Sequence, residues 1–286
     1  MSKTSSAEDH VVTTTTTIGM SGRLQVLNKV PEVTIYFWMI KILCTTVGES
    51  LADYINSTLG FGLGNTSLLF AVALVAVLVV QFRANRYVPA VYWLAVVLVS
   101  VVGTLVTDNL YDGQGIALPT LTIAFAALLA AVFAAWYARE RTLSIHSIIT
   151  VPREVFYWLT VLVTFALGTA SGDYTLDLTG AGPGPSVLLP GGLIVAVLVA
   201  WKLGAGPVLS FWLAYILTRP LGANIGDYLG SAPADGGIGL GAFATSLLFL
   251  CAIAAVVVYL SKTHKDQTEL VHRSPGSTTS TASNTH

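Results

Sequence analysis

Charge is scarce in this sequence. Only 10% of its 286 residues are Asp, Glu, Lys or Arg, against about 25% in soluble globular chains. With 54% hydrophobic residues, the composition excludes a solvated globular body and points to an integral membrane protein. Cysteine is almost absent: Cys44 and Cys251 both lie in apolar runs, which excludes a disulfide framework or a Cys-rich metal centre and leaves both as small core residues. The five histidines (His10, His146, His264, His272, His286) all fall outside the apolar runs, so a site at membrane depth has no imidazole to use. No nucleotide, flavin or haem motif is present, and neither a cofactor nor a nucleic-acid partner is expected. The net charge of −1 says little about partners, but the placement of the charges says more.

Apolar runs of roughly 20 residues recur with short polar breaks, the rhythm of membrane-spanning helices. The spans are predicted near 31–55, 66–82, 89–110, 118–137, 152–174, 186–203, 207–229 and 241–260. The fold class is therefore all-α: a polytopic membrane protein of eight transmembrane helices, built as four parallel two-helix repeats over about 29–86, 87–147, 148–204 and 205–261. Residues 1–28 and 262–286 are polar, rich in Ser and Thr, and read as disordered tails; the first lacks the apolar centre of a signal peptide. Each first helix of a pair starts near a proline (Pro31, Pro89, Pro152, Pro207), a favoured first-turn residue. Apart from Lys41 and Arg219 inside spans, the twelve other basic residues all fall on the side that holds both termini. The positive-inside rule then places both termini in the cytoplasm of a cell with this protein in its inner (plasma) membrane. Trp136 and Trp201, at the cytoplasmic helix ends, read as interfacial anchors.

The repeats share a skeleton. Trp is followed by Gly ten residues later and Asp fifteen residues later, four times over: Trp38/Gly48/Asp53, Trp93/Gly103/Asp108, Trp158/Gly168/Asp173 and Trp212/Gly222/Asp227. A repetition this regular marks one supersecondary unit used four times. The Trp and Gly residues suit packing, the glycines because Ala52, Thr107, Gly172 and Gly226 follow four residues on and give the small-xxx-small spacing of close helix pairs. The aspartates have two readings. They close the helix by bonding neighbouring backbone, or they form an acidic layer at the extracytoplasmic mouth that gathers cations.

On a helix of 100° per residue, Trp38, Lys41, Thr45, Glu49 and Asp53 form one stripe. The first copy is the most polar of the four; the fourth contributes Arg219 one turn before the level of Glu49, where it faces Glu49 if the repeats close into a ring. Glu49, Asp53, Asp108, Asp173, Asp227, Lys41, Thr45 and Arg219 are thus the candidate ion- or substrate-binding residues, with no particular metal indicated.

The stretches Lys29-Val-Pro31-Glu32-Val-Thr34 and Lys41 to Asp53 resemble the first repeat of a bacterial membrane-protein family with four tandem repeats, each of two transmembrane segments and a characteristic Trp. The resemblance covers about 29–261 and implies the eight-span architecture, not a chemistry, since the family's function is unknown. Ala223 at the position of Glu49 is a departure in the fourth repeat. A transporter or channel for a small cation, a divalent metal or a proton-coupled ion, is the expected function, since oxygen ligands suit a hard ion, with no enzymatic activity. A scaffold or partner subunit is the alternative. An intramembrane aspartyl protease is disfavoured, because Ala170 and Asn224 stand where its Gly-x-Gly-Asp motif needs glycine.

Overall fold

The computed structural model describes residues 28–180 and 182–267; the rest of the two predicted tails lies outside the described residues. Among the described residues the main elements are helices: α1 (Ile35–Asp53, continued by a π-helical turn, Tyr54–Thr58), α2 (Leu63–Arg83), α3 (Pro89–Asp108, continued by Asn109–Gly113), α4 (Leu118–Glu140), α5 (Val151–Thr179), a short α6 (Pro183–Ser186) leading into α7 (Leu188–Lys202), α8 (Pro207–Gly230) and α9 (Gly241–Thr263). Pro89, Pro152 and Pro207 sit in the first turns of α3, α5 and α8, where a missing N–H leaves nothing unsatisfied. Pro31 does not start α1. The helix begins at Ile35, capped by the Thr34 side chain, which accepts from the Phe37 N–H at 3.4 Å. Pro31 belongs instead to an extended strap in which the Lys29 N–H donates to the Ile148 carbonyl (3.1 Å) and the Glu32 N–H to the Asp266 carbonyl (2.9 Å).

Among the described residues, seven helical segments are long and apolar enough to cross a membrane, α6 and α7 counting together as one. The exception is α8, whose apolar run is broken by Arg219, Pro220, Asn224 and Asp227. It is one of four inner helices. The ring they make is closed: α1 packs on α3, α3 on α5, α5 on α8, and α8 back on α1. Each outer helix packs on the inner helix of the following repeat, α2 on α3, α4 on α5, α7 on α8, and finally α9 on α1.

The inner spans of α1, α3 and α5 are 61–72% buried, the outer ones 11–28%. Leu68, Val72, Ile123, Val195, Phe243 and Leu247 point outward from the outer helices, the reverse of an amphipathic surface made for water. Two further residues differ from their sequence reading. Trp136 is fully buried, stacked on Phe156 with centroids 6.3 Å apart and edge-on to Trp212 at 5.8 Å, because α4 leans onto α5 there. Cys251 is exposed on α9, an outer helix with one covered face.

Candidate functional site along the ring axis

Because the repeats are parallel, equivalent residues form layers, and each layer repeats one contact around the ring. The residue just before each Trp is aromatic: Phe37, Tyr92, Tyr157 and Phe211. Each packs on its own Trp and on the Trp of the next repeat. Phe37 meets Trp93 (centroids 5.7 Å), Tyr92 meets Trp158 (5.5 Å), Tyr157 meets Trp212 (6.4 Å), and Phe211 closes the circle on Trp38 (5.6 Å). Tilted and edge-on pairs of this kind suit the ring quadrupoles. The Tyr92 and Tyr157 hydroxyls share a hydrogen bond of 2.5 Å in the middle of this layer.

The glycine layer obeys the same rule. The residue three positions before each glycine presses against the glycine of the preceding repeat: Ser100 on Gly48, Phe165 on Gly103, Arg219 on Gly168 and Thr45 on Gly222. At all four, a Cβ would overlap the incoming side chain. The glycines are therefore sockets, and four sockets close the ring. Hydroxyls reinforce two of these seams: Thr46 donates to the Gly222 carbonyl at 2.9 Å and Thr107 to the Ala166 carbonyl at 3.1 Å.

Arg219 breaks the pseudo-symmetry. Seated in the Gly168 socket and fully buried, its guanidinium rises to the next layer and meets the equivalent residue of every other repeat. It donates to Glu49 Oε2 at 2.7 Å, to Thr169 Oγ1 at 2.8 Å and to Thr104 Oγ1, while Thr104 donates in turn to Glu49 at 3.3 Å. The fourth member of that layer is Ala223, directly above Arg219 on α8, where a long side chain would compete for the same space. Arg219 Nε and Nη1 have no hydrogen-bond partner among the described residues. Below it, Lys41 is fully buried, with Nζ over the rings of Phe165 (3.9 Å) and Tyr215 (4.3 Å).

Above Arg219 the axis opens. Asp53 is exposed and Asp108, Asp173 and Asp227 are half-buried. The inner helices run on through these residues, and no side-chain cap bond is made at Asp53 or Asp108. Among the described residues none of the four carboxylates takes a hydrogen bond, so the helix-closing reading has no contact behind it. Glu49, Asp53 and Asp227 converge, each with a carboxylate oxygen within 4.8 Å of the others. Asp108 and Asp173 stand outside that triad.

The opposite end is closed. Lys29, on the strap before α1, reaches across the ring to Glu154 at the start of α5 (2.7 Å) and to the Phe82 carbonyl (3.1 Å), while Gln81 at the end of α2 donates to the other Glu154 oxygen at 3.1 Å. From the other terminus, Asp266 accepts from the Tyr87 hydroxyl at 2.6 Å, and Trp93 Nε1 donates to that same hydroxyl at 3.1 Å. Burial, with the charge of Asp266 beside it, pushes the Tyr87 phenol up from its ordinary value. Chain following α9 thus remains ordered through Asp266, beyond the predicted boundary at residue 261.

Of the candidates read from the sequence, the structure brings together Glu49 with Arg219, and Glu49 with Asp53 and Asp227. Thr45 is a socket residue whose hydroxyl donates to the Ile42 carbonyl at 2.6 Å, and Lys41 lies deeper. Sequence reasoning missed the aromatic before each Trp, although it recurs in all four copies, and the buried latch of Lys29, Gln81, Glu154, Tyr87 and Asp266, which no periodicity announces.

No curated protein and no solved structure matches the chain. Four of its segments, 36–87, 91–142, 156–204 and 210–266, match one family, described as Repeat of Unknown Function (DUF347). These segments cover the four structural repeats, and the chain belongs to that family.

Proposed function

We propose that the protein is an eight-span protein of the inner membrane, with both termini cytoplasmic, that binds and moves a small hard cation through the axis of its inner ring. The observation that carries this reading is the convergence of the Glu49, Asp53 and Asp227 carboxylates within 4.8 Å at the open end of an otherwise packed axis. Three oxygen donors of this kind suit Mn²⁺, Mg²⁺ or Ca²⁺ in preference to softer ions. Asp108 and Asp173 supply a field that concentrates cations at the mouth. Arg219 is a tethered competitor: its guanidinium occupies Glu49 until an incoming ion takes the carboxylate, so the ion pair is both lock and first ligand. The remaining surface is covered by lipid.

The test is ion flux into proteoliposomes. Wild type should admit Mn²⁺, and the D53N/D108N/D173N/D227N variant should not; equal flux in the two defeats the proposal. A non-transporting scaffold is the second reading, favoured by the packed aromatic layer and by the four filled sockets. It predicts wild-type liposomes as tight to Mn²⁺ as empty ones.

A further inference from the structure

Lys41 is not explained by the packing around it. The other three repeats place Val96, Val161 and Tyr215 at the same position, so apolar and aromatic side chains suffice to fill this layer. Lys41 is nevertheless fully buried, and its Nζ has no hydrogen-bond partner among the described residues. The groups that face it are few. From α8 come Arg219 and Tyr215, from α5 the ring of Phe165, and from α1 itself Cys44; no hydrogen bond or ion pair ties it to α3 or α9 among the described residues. Arg219 Cζ is 5.8 Å from the centroid of the same Phe165 ring, so the two cationic side chains share one aromatic neighbour.

The amine rests against two ring faces, 3.9 and 4.3 Å from their centroids, the contact an ammonium makes with an aromatic face, and no carboxylate bonds it among the described residues. We propose that Lys41 is the proton-carrying group of a proton-coupled cation exchange, linked to the mouth through Arg219; this rests on the reading of the mouth as a cation site. With the mouth empty, Glu49 neutralises Arg219 and Lys41 holds a proton on the Nζ lone pair. When a divalent ion takes the Glu49 carboxylate, Arg219 loses its counter-charge and its repulsion of the ammonium grows. Lys41 then gives up the proton, which leaves past Arg219 to the aspartates of the mouth and from them to bulk water. At Lys41 only an N–H bond is made or broken, and no electron changes hands. Ion binding and Lys41 protonation oppose each other through one guanidinium, and the coupling is reciprocal by linkage.

The experiment uses purified full-length protein in a weakly buffered indicator solution, with Mn²⁺ as the probe and bound Mn²⁺ counted in parallel. Wild type is expected to release protons on binding. In K41M and K41Q the protons released per bound Mn²⁺ should fall by about one, with melting temperatures at or above wild type showing that both variants fold. Equal release per ion in wild type and both variants overturns the coupling while leaving the mouth intact, as does Mn²⁺ binding to wild type without any release. If wild type binds no Mn²⁺, the reading of the mouth fails and takes the coupling with it.

Discussion

At the open end of the ring, four aspartates take no hydrogen bonds among the described residues, and the Glu49 carboxylate is held by a cation and a threonine. At the other end, Lys29 and Glu154 are buried against each other, and Asp266, 1% exposed, accepts from Tyr87. The ends differ in how their acids are held: among the described residues Glu154 is bonded through both carboxylate oxygens and Asp266 through one, whereas the four aspartates are bonded through neither. Buried charges that serve stability are paired and hydrogen-bonded on several sides; charges left without partners beside solvent can receive a ligand. The contrast separates architecture from chemistry more clearly than the repeat pattern does, since the aspartates are as regularly repeated as the tryptophans.

Substitutions at the two ends should therefore behave oppositely, and the largest effects belong to the sockets between them. G168V puts a branched side chain where Arg219 already sits, and should abolish folding, read as loss of a monodisperse peak after detergent extraction. Next, E154A leaves Lys29 buried without its counter-ion and should cost about 3–5 kcal/mol; a double-mutant cycle with K29M should show recovery of much of that loss. Y87F removes the donor to Asp266 and the acceptor of Trp93, a cost of about 1–3 kcal/mol. Because the Tyr87 phenol is raised in the folded chain, its contribution is fully present below about pH 10, the unfolded value, and is lost as pH climbs above it. Thermal melts of wild type should fall off above that pH, and Y87F should show a shallower decline. Smallest of all, D108N and D173N should shift stability by only about 0.5 kcal/mol; a large loss at either would mean that the mouth is structural after all.

The ring was half legible in the sequence. Length and apolarity of the spans, the prolines at 89, 152 and 207 and the Trp/Gly/Asp spacing are local properties, and they place the helices and their layers. Glu49 facing Arg219 also follows from spacing, once the first and fourth repeats are taken as neighbours. What spacing does not contain is the partner of each residue. A glycine reads as a site of close approach, but only the packed ring shows Arg219 in the socket of Gly168, or Phe165 in that of Gly103. The latch is still less visible: Lys29 and Glu154 are 125 residues apart, on segments that look like ordinary polar helix ends until the ring brings them together. Pro31 and Trp136 depart from expectation for a related reason: a position near a span end suggests a helix start or an interfacial anchor, but tertiary contacts decide.

The central claim, that the unsatisfied end is a cation site, is tested most directly by titrating purified protein with Mn²⁺ and reading the free ion by its paramagnetic signal. Wild type should bind one ion saturably, and D53N/D227N, which removes two of the three converging carboxylates while sparing the Glu49–Arg219 pair, should bind it at least about tenfold more weakly, a difference of about 1.4 kcal/mol. Equal affinity in the two proteins, or no saturable binding in wild type, would contradict the account.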